Sequence, residues 1–250
     1  AWMDEGSTSF GSAEVMNYLA GLGYIQGREA VENPFAGTYK GYSYLIESGL
    51  EEPLSTHADH FKTNFAYGNA AYTKGSVFLR QLQYIVGDEV FARAIKRYFE
   101  EWKFKHPNPN DLIRVFEKES GLELDWYKEY MVNTTYSVDY AIDTVKTSVD
   151  QRTGTDIVIK NVGTMPMPID ITVTNNRGKQ LTYSIPLVIM RGNKVDQKAM
   201  KNFMAAEAWP WTSESYTLTI NMPIEKISKI EIDPSGGLAD QNAENNTYMK

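Results

Sequence analysis

Trp2-Met3-Asp4-Glu5-Gly6-Ser7-Thr8-Ser9-Phe10 follows a single Ala1 at the start of the chain, and the reading of this stretch decides what is expected of the rest. Phe10, Val15, Tyr18 and Leu19 recur at broadly helical spacing, and Gly21 and Gly23 supply a stop, so Trp2 to about Leu22 is predicted as a helix. Asp4 and Glu5 then fall in the first turn, where the helix dipole favours acids. Gly6 and Gly11 oppose the assignment, because a glycine inside a helix costs about 1 kcal/mol against alanine. A helix that keeps them needs a second backbone close by, or else packs loosely. No Met leads the chain and a Trp stands at position two, so the stretch is expected to be the middle of a longer protein.

Beyond this helix, Phe35 to Ile46 gives a short aromatic helix stopped by Gly49, and Glu51 to Asn69 reads as a loop beginning near Pro53. Ala71 to Val86 is the strongest helical block, with Gly75, Phe78, Leu79, Leu82, Ile85 and Val86 on one face. Gly87 ends it, and Asp88 is the expected cap of a helix from Glu89 to about Lys103. Asn110 is the expected cap of a helix from Asp111 to Glu119, and Asp125 that of a last one to about Val132. Alternation replaces helical spacing after Asn133. Strands are expected around Tyr140–Val145, Ile157–Ile159, Ile169–Val173, Leu181–Ile185, Tyr216–Ile220 and Ile227–Ile232, with a hairpin turn at Asn176-Arg177-Gly178. A helical turn is expected within 197–206, and the polar tail from Pro234 as loop or disorder. The fold class that results is α and β in series. Residues 1–135 are helical, and 136–250 form an antiparallel β-sandwich.

Composition narrows the function classes. The chain has 250 residues, 42% apolar and 23% charged, enough for a substantial core. A net charge of −7 without a Lys/Arg run argues against nucleic acid or an anionic membrane surface as partner. No apolar run approaches the length of a membrane span. There is no cysteine, hence no disulfide or thiolate metal site, and the compartment stays open. Phosphate-binding and dinucleotide-binding glycine patterns are absent, and Ser7 lacks the context of a hydrolase nucleophile. His57 and His60 have H-x-x-H spacing, but Pro53 and the surrounding loop argue against a helical metal pair, and His106 is remote. Met165-Pro166-Met167-Pro168 and Trp209-Pro210-Trp211 are expected to cover a sheet edge.

Two short motifs carry chemistry. Trp2-Met3-Asp4-Glu5-Gly6 has the pattern W-x-D-E-G, and Tyr72-Thr73-Lys74-Gly75, with its Tyr 67 residues beyond Glu5, has the pattern Y-x-K-G. Taken alone, Glu5 reads first as a first-turn acid and Tyr72 as a buried aromatic starting a core helix. In this order they resemble the aminopeptidase N family of zinc peptidases (gluzincins), and the resemblance continues through Pro107-Asn108-Pro109-Asn110-Asp111-Leu112 and Ser120-Gly121-Leu122-Glu123-Leu124-Asp125-Trp126. It covers roughly residues 1 to 133 and implies the helical end of a thermolysin-like catalytic domain. The β-region is similar to the small domain that follows in many members.

The resemblance further implies that Glu5 is a zinc ligand, that Tyr72 donates a hydrogen bond to the oxyanion of a tetrahedral intermediate, and that the substrate is a peptide cleaved at its N-terminus. The family's H-E-x-x-H, about eighteen residues before the Glu, and its G-x-M-E-N segment are absent. Asp4 stands where many members have Asn. The 250-residue chain is therefore expected to be inactive alone. Faces left open by a missing half would favour a homodimer. The rival expectation is a non-catalytic scaffold or partner-binding module built on the same fold.

Overall fold

The computed structural model describes residues 1–149, 154–194 and 202–250. Among the described residues seven α-helices precede eight strands: α1 (Trp2–Gly21), α2 (Ala36–Glu47), α3 (Asn64–Gly68), α4 (Gly75–Val86), α5 (Asp88–Trp102), α6 (Pro109–Ser120), α7 (Asp125–Asn133), then β1 (Tyr140–Thr147), β2 (Thr155–Asn161), β3 (Ile169–Asn175), β4 (Gln180–Ile185), β5 (Phe203–Ala205), β6 (Ser215–Ile220), β7 (Ile227–Ile232) and β8 (Thr247–Met249). The expected order of helices then strands is observed. No described helix is long and apolar enough to cross a membrane.

The centre of the helical half is α4. Its expected face is buried, but so are Val77, Gln81 and Tyr84 on the other sides. A helix covered all round needs partners on every side. Here α1, α2 and α5 pack on α4, and Tyr127 of α7 donates its hydroxyl to the Phe78 carbonyl at 2.7 Å. The stripe that α1 buries is Trp2, Gly6 and Phe10, spaced four apart, together with Ala20. Val15 and Tyr18, expected on that face, are exposed instead.

The predicted loop to Asn69 ends early. Thr63 Oγ1 accepts the Ala66 N–H at 3.0 Å and caps α3. This helix runs through a π turn, Asn69–Lys74, directly into α4. Three expected caps also differ. Asn108, not Asn110, caps α6, forming a capping box with Asp111 while Pro109 takes the first helical position. Asp88 and Asp125 lie inside their helices, behind Gly87 and Leu124. Gly87, at φ 87°, makes the sharp turn between α4 and α5 that no side-chain-bearing residue adopts easily.

The strands form two sheets, ordered β1-β2-β6 and β5-β4-β3-β7-β8. Alternation works as expected for Ile157 and Ile159 of β2, Ile169, Ile171 and Val173 of β3, and Ile230 and Ile232 of β7, while Ile227 is buried three residues before Ile230, where the β3–β7 register shifts. One pairing departs from the antiparallel expectation, since β5 lies parallel to β4 with Tyr183 opposite Met204. Part of the helical turn expected within 197–206 lies outside the described residues. The described remainder is strand, as Phe203–Ala205 find their partners on β4. Met165, Met167 and Trp209 are not edge cover but fully buried core, with Trp209 stacked on Tyr216 and edge-on to Tyr140.

The tail is the largest departure. Leu238 and Ala239 are buried, and β8 pairs with β7. Tyr39 donates its hydroxyl to the Gly237 carbonyl at 2.6 Å, Gln81 accepts the Ala239 N–H at 3.2 Å, and Asp240 accepts the Tyr140 N–H at 2.9 Å. Gly237 rests on the Tyr84 ring so closely that a Cβ there would lie 2.3 Å from it. The segment thus ties α2 and α4 to the sheets, and the apolar residues of the two halves form one cluster. Tyr39, Gln81 and Tyr140 lie roughly a hundred or more residues from their partners in this polar segment, so local composition does not predict its order.

Candidate functional site

The site rests on a contact between two glycines. A Cβ on Gly6 would lie 2.6 Å from the Gly75 carbonyl carbon and 2.7 Å from its Cα, and a Cβ on Gly75 would lie 2.9 Å from Gly6 Cα. The backbones of α1 and α4 therefore touch, as only two glycines allow. Trp2 and Phe78 lock the crossing edge-on at 4.9 Å. Gly11, by contrast, faces open space: a Cβ there would meet nothing within 4 Å, so packing gives no reason for a glycine at this position.

The crossing sets Glu5 against Tyr72. Glu5 is the residue before Gly6, half-buried on the first turns of α1 beside Asp4. Tyr72 lies on the π turn three residues before Gly75 and is 43% exposed. Glu5 is the main reason the Tyr72 pKa is raised, as a hydrogen-bond acceptor first, with desolvation and the charges of Glu5, Tyr67 and Asp4 adding to it. The phenol is thus held as a neutral donor, aimed at a carboxylate, at the surface of the molecule. Turns of the π type break the regular ladder and re-aim side chains; here Ala70, Ala71 and Lys74 go inward while Tyr72 goes out.

Lys74, the third position of Y-x-K-G, has a role the motif does not announce. Its side chain is wholly buried. Nζ lies 2.8 Å from Glu51 Oε1 and donates to the Thr134 carbonyl at 2.9 Å. Burial lowers the ammonium pKa while Glu51 raises it. Burial raises the Glu51 carboxyl pKa while Lys74 and then Tyr42 lower it. The Tyr42 hydroxyl faces the same carboxylate, and its own pKa goes well up, through burial first and then the Glu51 charge. Glu51 sits in a loop with no periodic pattern, so no sequence signal pairs it with Lys74.

The histidines lie elsewhere. His57 Nδ1 accepts the Asp59 N–H at 3.2 Å and so caps a short turn, and its ring lies 5.2 Å from that of His60. His106 is exposed on the α5–α6 link. Ser7 donates to the Met3 carbonyl within α1 at 2.6 Å, as an ordinary helix serine does. An open groove of about 760 Å³ runs along the first turn of α1, lined by Asp4, His57, Asn108, Asn110 and Lys128 among others. Among the described residues no group of three or more His, Asp or Glu is placed to hold a metal. Glu5 is a half-buried carboxylate of the kind zinc accepts, but it is one donor where a catalytic zinc takes three from protein. The described residues therefore do not by themselves make a zinc site.

Residues 1–133 match the Peptidase family M1 domain. The chain belongs to peptidase family M1. The matched region holds both Glu5 and Tyr72 and ends with α7. Over 143 residues the chain is 26% identical to a probable aminopeptidase 1 of Sulfurisphaera tokodaii, an alignment covering 54% of this chain and 18% of that protein. Over 66 residues it is 32% identical to aminopeptidase N of Streptomyces lividans, covering 26% of this chain and 8% of that protein. The crystal structure of Legionella pneumophila aminopeptidase A, in complex with aspartic acid, superposes at a TM-score of 0.56 and 17% identity, over 96% of this chain and 24% of that one. That likeness is one of fold, and it includes the β-region beyond the family match. The chain spans less than a quarter of the length of each of these proteins.

Proposed function

We propose that this M1 chain supplies one wall of an aminopeptidase active site, with Glu5 as a metal ligand and Tyr72 as the donor to the oxyanion. The observation that carries the reading is the Gly6–Gly75 backbone contact, which sets the turn of α1 that bears Glu5 against the π turn that bears Tyr72. Zinc, when bound, supplies Lewis acidity and an acidified water. This chain contributes the rest of the reading. Glu5 offers a carboxylate oxygen at a position fixed by backbone contact rather than by a flexible loop. Once Glu5 is taken up by a metal, the Tyr72 O–H is free to turn toward a substrate oxygen, and its bond strengthens as charge develops there. The substrate would be a peptide with a free N-terminus, and the remaining two ligands and the general base would come from residues outside this chain.

On its own the chain is then inactive, because one carboxylate does not hold catalytic zinc. Detectable hydrolysis of an aminoacyl anilide by the pure 250-residue protein would overturn this. The direct test joins the chain to a segment bearing an H-E-x-x-H helix and measures bound zinc. Glu5→Gln should lower zinc affinity by about 10-fold or more, since a carboxylate ligand is lost. Full zinc occupancy in Glu5→Gln at equal free zinc would show that Glu5 is no ligand. The rival scaffold reading predicts the same indifference.

A further inference from the structure

We propose that the buried Lys74–Glu51 pair is a positioning device for Tyr72, clamping the π turn from beneath so that the phenol stands against Glu5. The proposal rests on the role of Tyr72 given above.

The geometry has three parts. Tyr72 and Lys74 share the turn Asn69–Lys74 and leave it in opposite senses, Tyr72 to the surface and Lys74 into the core. At the far end of the turn, Gly75 is fixed by backbone contact with Gly6. Helices α1, α2 and α3 also pack against the turn, which interrupts the regular α-helical ladder. A further hold on it is Lys74 Nζ, held between Glu51 Oε1 at 2.8 Å and the Thr134 carbonyl at 2.9 Å. These partners come from the loop before His57 and from the residue that follows α7. Tyr72 lies on the same turn, two residues before Lys74.

Stability alone does not account for a wholly buried cation here. Replacing such a pair with apolar side chains of similar size is often neutral or stabilising, so what an ion pair adds is direction. Ala70 and Ala71, also buried on the turn, are too small to set its rotation by shape, whereas an ion pair and a hydrogen bond from one ammonium do.

The test is read by NMR on the 250-residue chain labelled with ¹³C and ¹⁵N, so it does not depend on activity. The reporter is cross-relaxation between the Tyr72 ring protons and the Glu5 Hγ protons, with the Trp2–Phe78 ring contact as internal reference. An unsupported site loosens by about 1 Å, and the steep distance dependence then lowers the cross-peak several-fold. Lys74→Met with Glu51→Leu removes the pair without leaving a buried lone charge. In this folded double variant the Tyr72–Glu5 cross-peak should fall several-fold while the Trp2–Phe78 contact keeps its intensity. A cross-peak of wild-type strength in the double variant would overturn the clamp. Should the double variant not fold, Glu51→Gln keeps the side-chain shape and is read in the same way, with a smaller loss expected and an unchanged peak again contradicting the proposal. Failure here leaves the Tyr72 reading intact, since that reading falls only on kinetic indifference of Tyr72→Phe.

Discussion

Gly6→Ala is the sharpest perturbation of the helix crossing. The new Cβ would stand 2.6 Å from Gly75 C, 2.7 Å from its Cα and 3.0 Å from its O. Non-bonded carbons rest at about 3.5–4.0 Å, so α1 and α4 must part by about 1 Å. The obstructing atoms are backbone and cannot rotate away. Overpacking of this kind costs about 1–3 kcal/mol, against a gain of about 1 kcal/mol from replacing a helical glycine by alanine. The clash wins, because parting the helices also unseats Trp2 from Phe78. We expect a net loss of about 1–2 kcal/mol. The assay is urea denaturation, read as a lower midpoint at unchanged slope. Gly11→Ala is the matched control: no atom lies within 4 Å of its Cβ, so only the propensity gain remains, about 0.5–1 kcal/mol of stabilisation. If Gly6→Ala raised the midpoint as Gly11→Ala should, the backbone contact that organises the site would not exist.

Tyr84→Phe removes the hydroxyl that accepts the Asp170 N–H at 2.8 Å, leaving a buried amide at the join of α4 and β3 without its partner. A loss of about 1–3 kcal/mol in the same denaturation assay is expected; no loss would mean that the join is held by packing alone. Asp233 supplies a pH dependence. Burial raises its carboxyl pKa, with Asp170 adding, although Ser235 and the Leu238 and Gly237 amides lower it. A carboxyl whose folded pKa lies above the unfolded value binds its proton more tightly when folded, so stability declines as pH rises from the ordinary aspartate range through the folded pKa. Stability of the wild type relative to Asp233→Asn should fall across that window. A difference that is flat or rises with pH refutes the assignment.

Much of this was legible in the residues, and the exceptions share a cause. The helix and strand order follows from periodicity because each element buries one face of its own sequence, as Ile169, Ile171 and Val173 do. Glu5 and Tyr72 stood out by motif, and the fold brings the two together across 67 residues of chain. What escaped are features whose reason lies far along the chain. Gly6 and Gly11 are indistinguishable until Gly75 arrives 69 residues after the first of them. The tail reads as polar and unpatterned because its order comes from Tyr39, Gln81 and Tyr140. Nothing in Y-x-K-G signals that Lys74 is buried, because its partners Glu51 and Thr134 lie 23 and 60 residues away. The α6 cap was misplaced by two residues for a local reason: Pro109 is better accommodated at the first helical position than before it.

The most direct measurement is the turnover of Tyr72→Phe in a zinc-loaded protein that carries this chain together with an H-E-x-x-H segment. Loss of one oxyanion donor lowers kcat by about 10²–10³-fold, and the account predicts that loss with zinc content and KM nearly unchanged. A Tyr72→Phe protein that holds zinc and turns over at the unaltered rate would contradict it.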